Sequence, residues 1–438
     1  MNKPLSLGLM AAALLLLAGG RANAQASAPA AEPIDPVAVT LTSTADVATT
    51  RAALIDETWG MSTLPTTLPT VTKTTNPFGS TLPDVGAVYD YHAAMSNGQV
   101  NDSNLYLNSS PNGRVVIMNM GHQGTNSWPS FNPTYGTVPV MDALLRHGFS
   151  IYAMNMPADG QCCSAHPELF SRYGNAAMQY FLEPAIQAMN YWGVHRTFSQ
   201  DDFVGLSGGA WTGAVLQALD PRVTTAVLNA GSLPGTQFCC QSFPMSSLTN
   251  QADRSFAAEQ SWRPFYSLAG YVDLYLMGAS GPGREQLQIL NIHDDCCFGP
   301  NQWNSIYMAA NGGRNWYQQV SFYESLIDKA PIPSDFSVVL DPAAQAHQFS
   351  DPLAVDLTVN TLLSREVVTP EPPAVTPEPP TSTPKPPTAT PEPRIATPQS
   401  PIAAPEPPTW AMLLPGLGFV GYLRMRRAAT RQRRAVCA

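Results

Sequence analysis

From residue 114 onward the chain alternates short apolar runs with longer amphipathic stretches, and this alternation constrains its fold more than any other feature. The runs "GRVVIMNM", "FSIYAMNMP", "DDFVGLS", "VTTAVLNAG", "LQILNIHD" and "FSVVLDP" are typical of buried strands. Between and after them, "VPVMDALLRHG", "NAAMQYFLEPAIQAMNYWGV", "GGAWTGAVLQALD" and "DPLAVDLTVNTLLSRE" are typical of helices. This spacing predicts an α/β fold with a mostly parallel sheet flanked by helices on both faces.

The chain before this alternation has a different pattern. Residues 37–94 contain short β-type runs separated by Thr, Pro and Gly turns. Within and just after them, "GAVYDYHAAM" and "SNLYLNS" predict an antiparallel entry into the sheet. We therefore expect residues 37–366 to form a single domain.

The strongest chemical signal is the pentapeptide Gly205–Gly209, which reads G-x-S-x-G with Ser207 at its centre. A strand-type run precedes it and a helix-type run follows it. A turn this tight requires small residues beside the serine, and the helix N-terminus directs its positive end at an anion forming there. Ser207 is therefore a candidate nucleophile, and the amide of Gly208 is a candidate oxyanion donor. A Gly-rich turn in an ordinary strand–helix unit is the alternative.

The order of elements around this turn resembles the α/β-hydrolase superfamily over residues 85–365. This resemblance implies a Ser–acid–His triad in which the acid follows a later strand and the histidine comes last. "NIHDDCC" offers Asp294, with Asp295 as the alternative, directly after a strand. His347 lies between the last strand and the closing helix, from which it can reach a serine across the top of the sheet.

The resemblance also implies a second oxyanion donor and a cap. The donor is expected in the loop after an earlier strand, where Gln123, or alternatively His122, supplies the amide. A plain turn is the other interpretation of this loop. An insertion at about residues 235–283 corresponds to the position of a cap, although most of its aromatic side chains are expected in the core.

Six cysteines occur as three adjacent pairs, each in a loop after a predicted strand. In an oxidising compartment they predict disulfides that join the loops around the site, although the pairing stays open. Zinc is the rival interpretation, but the spacings match no standard zinc module. We expect neither a metal nor a cofactor. The candidates are Cys162, Cys163, Cys239, Cys240, Cys296 and Cys297.

Both ends of the chain are typical of targeting segments. Residues 1–24 have a basic start, an apolar run and an "ANA" cleavage pattern, which predict a secretory signal peptide, followed by a mobile segment at 25–36. Residues 367–404 are a Pro-rich linker. Residues 405–438 resemble the PEP-CTERM sorting signal of Gram-negative bacteria, with Pro-Glu-Pro, an apolar run and a basic end. A permanent membrane anchor is the alternative for each end.

These interpretations together limit the partners and the function. The net charge is −9, and eight of the 23 basic residues lie in the two end segments, so the acidic body should repel nucleic acid. The N-terminal signal implies a signal peptidase, and the tail implies an exosortase, transient contact with the inner membrane, and a final location at the cell surface or outside the cell. We expect a serine hydrolase acting on a small-molecule or polysaccharide ester, including acetylated exopolysaccharide, or on a polyester. A serine peptidase and a non-catalytic binding protein are the alternatives.

Overall fold

Within the described residues, nine strands form one sheet in the order β1-β2-β3-β5-β4-β6-β7-β8-β9. The computed structural model describes residues 38–121, 137–157, 165–196, 198–232, 234, 258–260, 262–294, 313–344, 347–349 and 352–365. The predicted signal segment, linker and sorting tail lie outside this range, as do all six paired cysteines. Within the described residues, no helix combines the length and the hydropathy needed to cross a lipid bilayer.

The first three strands are antiparallel, as the sequence predicts. A short turn with Gly98 at a φ of 80° joins β2 to β3, and Met95 N–H donates to the Gln99 carbonyl at 2.8 Å. In β2 and β3, Asp90 pairs with Asn104 and Tyr91 pairs with Ser103. The strands are β1 (Thr70–Thr74), β2 (Val85–Ala94) and β3 (Val100–Asn108).

The remaining strands run parallel, so their carboxyl ends meet at one edge of the sheet. All the side chains of β4 and β5 are buried, which explains their continuous apolar runs. The strand that precedes the candidate serine, β6, lies between β4 and β7. The bounds are β4 (Arg114–Asn119), β5 (Ser150–Met154), β6 (Gln200–Leu206), β7 (Val223–Asn229), β8 (Glu285–Asn291) and β9 (Phe336–Asp341).

Helices cover both faces of the sheet, as the alternation predicts. On one face, α5 packs against α4 and α7, and α8 packs against α7 and β9. On the other face, α2 packs against β5 and α9 packs against α2 and β7. The helices are α1 (Thr44–Trp59), α2 (Thr137–Arg146), α3 (Ala165–Tyr173), α4 (Gln179–His195), α5 (Gly208–Leu219), α6 (Arg263–Tyr266), α7 (Tyr271–Ala279), α8 (Trp316–Ile327) and α9 (Pro352–Ser364).

One expectation about the N-terminal segment was wrong. Residues 44–59 form α1, a 16-residue helix, where the sequence analysis expected β-type runs and turns. The Ser43 side chain accepts the Asp46 N–H, and Gly60 ends the helix in the left-handed conformation with a φ of 68°. These are ordinary start and stop signals for a helix. The Thr residues of this stretch concealed them because Thr also favours strands.

The described part of the expected cap belongs to the helical layer. Phe265, Tyr266 and Tyr271 are almost completely buried, and α7 packs along α5. The Trp211 indole N–H donates to the Tyr266 hydroxyl at 2.7 Å, which ties this segment to the first turn of α5. These aromatic side chains therefore form core packing, and residues 235–257 and 261 lie outside the described residues.

Candidate active site

Ser207 occupies a strained turn between β6 and α5. Its φ of 58° and ψ of −133° lie in a region that side-chain-bearing residues rarely adopt, at a cost of roughly 1–3 kcal/mol. Among the described residues other than glycine, only Ser207 and Ala230 have a positive φ. The Ser207 N–H donates to the Asn229 carbonyl of β7 at 2.9 Å, which holds the turn against the sheet. The serine is half-exposed, whereas Leu206 and Gly208 on either side are buried.

The glycines around Ser207 are required by close backbone contacts. A Cβ added to Gly209 would lie 1.9 Å from the Asn119 carbonyl oxygen of β4, a contact that no side chain can make. Gly121, with a φ of 70°, packs against the serine from the end of β4, and a Cβ there would lie 2.9 Å from the Ser207 Cβ. The strand-to-helix turn can therefore form only with small residues on both sides, as the motif predicts.

The first turn of α5 begins directly after the serine. The amide of Gly208 is at the N-terminus of this 12-residue helix, where backbone N–H groups and the helix dipole favour a negative charge. The predicted second donors, Gln123 and His122, follow Gly121 but lie outside the described residues.

His347 and Asp294 lie together although 53 residues separate them in the chain. The imidazole Nδ1 is 2.5 Å from the Asp294 Oδ2. Asp294 is fully buried and His347 is 8% exposed, so little water competes for this contact. A carboxylate at Nδ1 holds the ring in the tautomer whose Nε2 accepts a proton. The alternative acid, Asp295, lies outside the described residues.

Two neighbouring strand ends fix the loop that carries His347. The Asp341 Oδ1 at the end of β9 accepts the Ala343 and Ala344 N–H groups at 2.8 and 3.2 Å. From β8, the Asn291 side-chain amide donates to the Gln348 carbonyl at 3.1 Å. Contacts with the ends of β8 and β9 therefore hold the histidine loop at the carboxyl edge, where Ser207 follows the end of β6.

A second histidine–carboxylate pair escaped sequence analysis. His166 lies in α3, and its Nδ1 is 2.9 Å from the Glu259 Oε2. Both side chains are fully buried, and the His166 ring packs edge-on against Phe181 at 5.1 Å. The two residues are 93 positions apart, and no local pattern indicates that they meet. Their burial in the helical layer is typical of a structural contact between α3 and the segment 258–260.

The strand order now identifies the architecture. A parallel series with the β5-β4 inversion follows the three antiparallel strands β1, β2 and β3, and the serine turn comes after β6 at the centre of the sheet. The chain has the α/β-hydrolase fold. This fold brings the ends of β6, β8 and β9 to one edge, in the chain order serine, acid, histidine.

Comparisons with known proteins gave structural matches alone. No family model matches the chain, and no curated protein matches it. Among solved structures, a methylesterase aligns with 73% of this chain at 12% identity and a TM-score of 0.44, over 62% of its own length. Acetyl xylan esterase 1 from Thermoanaerobacterium sp. aligns with 76% of this chain and 96% of its own, at 14% identity and a TM-score of 0.44. An acetyl xylan esterase from Paenibacillus sp. R4 aligns with 76% of this chain and 98% of its own, at 14% identity and a TM-score of 0.43.

Proposed function

We propose that this protein is a serine hydrolase that cleaves carboxylic esters through an acyl-enzyme on Ser207. The observation that carries the proposal is the buried contact between Asp294 and His347. It lies at the sheet edge where Ser207 is half-exposed and has a strained backbone. A strained backbone at a half-exposed serine is typical of a functional site, because folding alone does not require it.

The proposed reaction has two halves. The Ser207 Oγ attacks the ester carbonyl carbon while the His347 Nε2 takes its proton, and Asp294 stabilises the resulting imidazolium. The Gly208 N–H donates to the oxyanion of the tetrahedral intermediate. The imidazolium then protonates the departing alcohol oxygen, which leaves an acyl group on Ser207. Water, deprotonated by His347, attacks this acyl group, and the carboxylic acid departs as the serine regains its proton.

Labelling with a fluorophosphonate tests this proposal. We expect the wild-type protein to be labelled and the Ser207→Ala variant to remain unlabelled, because the probe reacts with an activated serine. Ser364→Ala removes an exposed hydroxyl at the end of α9 and is the matched control that should keep full labelling. Equal labelling of wild type and Ser207→Ala would refute the proposal, and no labelling of any variant would favour a non-catalytic binding protein.

A substrate panel then distinguishes the two enzyme classes. Esters of acetate and butyrate should be hydrolysed by the labelled protein, whereas peptide anilides should not. Hydrolysis of the anilides with ester activity only in trace amounts would instead favour the peptidase alternative. The acyl part of the substrate, and whether its alcohol belongs to a polysaccharide or a polyester, are resolved by comparing acetylated glycans with polyester films.

We also propose that the protein is exported and released from its C-terminal tail. The support is in the sequence alone: the "ANA" pattern ending at Ala24 and the Pro-Glu-Pro at 405–407 followed by an apolar run and arginines. Intact-mass analysis of protein secreted by a Gram-negative host with an exosortase should give a chain that starts at Gln25 and lacks the basic end. A secreted chain that retains Arg434 would contradict tail removal.

The paired cysteines carry a related proposal. In an exported protein we expect them to form disulfides between the loops at the carboxyl edge, which would hold a triad whose members lie on loops. Mapping by mass spectrometry without reduction checks this. Bridges confined to Cys162–Cys163, Cys239–Cys240 and Cys296–Cys297 would contradict it.

A further inference from the structure

A polar cavity opens at the carboxyl end of β5, at the edge of the sheet where Ser207 follows β6. It encloses about 700 Å³, which is in the range of small-ligand sites and far larger than a bare ion needs. Its walls come from β2, the start of β3, the residues after β5, and the helices α3 and α4. Elements distant in the chain therefore converge on one concave site.

The cavity wall is rich in planar hydrogen-bonding groups. Carboxylate or amide side chains that line it include Asp90, Gln99, Asn101, Asp102, Asn104 and Asn155. Such groups accept hydrogen bonds from hydroxyl groups, and the amides also donate to hydroxyl oxygens. A ligand that carries many neutral hydroxyl groups matches this wall.

The side chain of Asn104 lies in the wall beside Asp90. Its side-chain amide N–H donates to the Asp90 carboxylate, and the residue is only 5% exposed. Its Oδ1 is buried, and within the described residues it has no hydrogen-bond partner. A buried polar atom without a partner costs free energy, so such atoms are rare unless a ligand or water satisfies them. This oxygen is not accessible from the cavity as the side chain stands, so Asn104 contributes to the wall by holding the Asp90 carboxylate.

The cavity lining also has an apolar part. Tyr180 is 8% exposed and packs against Tyr173 at 5.5 Å between ring centroids, so its ring is held in place. Met156, Pro157 and Leu169 extend this surface. A sugar ring presents a face of C–H groups and a rim of hydroxyl groups. The C–H face can pack on the aromatic and aliphatic side chains of the lining, and the hydroxyl groups can bind its polar side chains.

The described lining of the cavity is acidic. Its lining residues within the described part of the chain include two carboxylates, Asp90 and Asp102, and neither lysine nor arginine. The His92 Nδ1 lies 2.7 Å from the Asp102 Oδ1 on the exposed side of the strand pair. A uronate or a phosphorylated sugar would meet like charge without a compensating cation, so the ligand is expected to be neutral.

Strand register places this cavity close to Ser207. Asn104, Ala153, Met118 and Val204 lie in one row across β3, β5, β4 and β6. Three strand spacings separate the two ends of this row, or about 14 Å. Met154 and Gly205 both pair with Asn119, so Asn155, which follows β5, lies level with Leu206, the residue before Ser207. A short oligosaccharide can bridge this distance.

We propose that this cavity binds a neutral saccharide unit of the substrate while an ester on the same glycan chain is cleaved at Ser207. The inference rests on the proposed function and deepens it, because it names the alcohol part of the ester as a neutral glycan. A polyester has no hydroxyl-rich unit to fill this wall.

A binding experiment without catalysis tests the cavity separately from the triad. Full-length Ser207→Ala protein is titrated by calorimetry with unesterified cello-, xylo- and manno-oligosaccharides, with oligogalacturonide as the anionic comparison and with Ca²⁺ alone. We expect at least one neutral oligosaccharide to bind with a Kd of about 1 mM or lower. Oligogalacturonide of equal length should bind at least about tenfold more weakly.

Variants assign the binding to the cavity. Asn101→Ala/Asn155→Ala removes two amides from the wall and should weaken binding by at least about tenfold. Asn360→Ala, an exposed amide on α9, is the matched control and should bind as the parent does. If the double variant fails to fold, Asp102→Asn carries the same test, because the Asp102 side chain is 73% exposed.

The outcomes separate the two proposals. No neutral oligosaccharide binding, binding that persists in the variants, a preference for oligogalacturonide, or binding of Ca²⁺ in place of sugar would each overturn the saccharide site, whatever the labelling of Ser207 shows. Binding that is lost in the variants supports the site even if Ser207 fails to label. In the active enzyme, the double variant should also lower by about tenfold the ratio of kcat/KM for an acetylated neutral oligosaccharide to that for an aryl acetate.

Discussion

Each of the two edges of the parallel sheet buries a hydrogen-bonded pair of side chains, and the two pairs differ in where they lie. At the amino edge, the Arg114 guanidinium is 2.7 Å from the fully buried Asp202 carboxylate, and it also donates to the Leu362 carbonyl. Gln200 of β6 and Thr224 of β7 donate to the same carboxylate, so hydrogen bonds from the sheet itself also hold Asp202. At the carboxyl edge, Asp294 and His347 lie on loops beyond the strands, at the edge where the half-exposed Ser207 follows β6.

This difference separates a pair that stabilises the fold from a pair that can do chemistry. Arg114 and Asp202 lie within paired strands, where movement would break the sheet. Asp294 and His347 lie beyond the strand ends, where a substitution leaves the strand pairing intact. Substitutions at the carboxyl edge should therefore cost activity, and substitutions at the amino edge should cost stability.

The largest expected effect is at Ser207. Ser207→Ala removes the nucleophile and should lower kcat for an aryl acetate by about 10⁵–10⁶-fold. The midpoint of thermal unfolding should stay within about 2 °C of wild type, because a single methyl-sized side chain remains at a half-exposed site. Initial rates and a thermal melt of the same preparation check both parts. A kcat within tenfold of wild type would exclude this serine from the reaction.

The next effect tests the carboxylate that holds His347. Asp294→Asn keeps the shape but allows the wrong imidazole tautomer, and kcat should fall by about 10⁴-fold. Asp356→Asn, an exposed carboxylate on α9, is the control and should retain its kcat. Similar losses in both variants would mean that charge in general, rather than this contact, supports the activity.

The amino-edge pair should show the opposite behaviour. Arg114→Ala leaves Asp202 buried without its cation and should lower the free energy of unfolding by about 3–5 kcal/mol, measured by urea denaturation. Arg146→Ala breaks a pair of the same 2.7 Å length, with Asp142, but on the surface, and should cost less than about 1 kcal/mol. The folded Arg114→Ala protein should keep its kcat. A large loss of kcat without loss of stability would contradict the comparison.

The smallest effect concerns pH and Asp201 at the amino edge. Burial raises the pKa of Asp201 from 3.8 to about 7, although the Trp192 indole donates to the carboxylate and opposes the rise. Between these values the folded protein retains a proton that the unfolded chain releases. Stability from this group is therefore present below about pH 4 and is lost as pH rises through about 7.

Asp201→Asn should remove this part of the pH dependence. The difference in melting temperature between pH 5.5 and pH 8 should shrink by a few degrees relative to wild type, whereas Asp356→Asn should leave it unchanged. An unaltered difference in Asp201→Asn would mean that another group causes the pH dependence.

Local sequence patterns predicted the parts of this protein that local physics determines. The strand–helix alternation gave the parallel sheet, and Gly205–Gly209 marked the strained turn because backbone contacts there exclude larger residues. Helix α1 was missed although Ser43 and Gly60 signal its ends, because its threonines were interpreted as strand formers. The choice between Asp294 and Asp295 stayed open in sequence because adjacent residues share every local signal.

Features that depend on distant segments could not be predicted. The His166–Glu259 contact joins residues 93 positions apart, and the cavity beside β5 takes its walls from four separate parts of the chain. The register of four strands, β3, β5, β4 and β6, decides where that cavity lies relative to Ser207, and register is a property of the folded sheet.

The central claim is that His347, held by Asp294, activates Ser207. The most direct measurement is the second-order rate of fluorophosphonate modification, with the modified peptide identified by mass spectrometry, in wild type and His347→Ala. We expect one adduct, on Ser207, and a modification rate that is more than about 10³-fold lower in His347→Ala than in wild type. Equal rates in the two proteins, or an adduct on another residue, would contradict it.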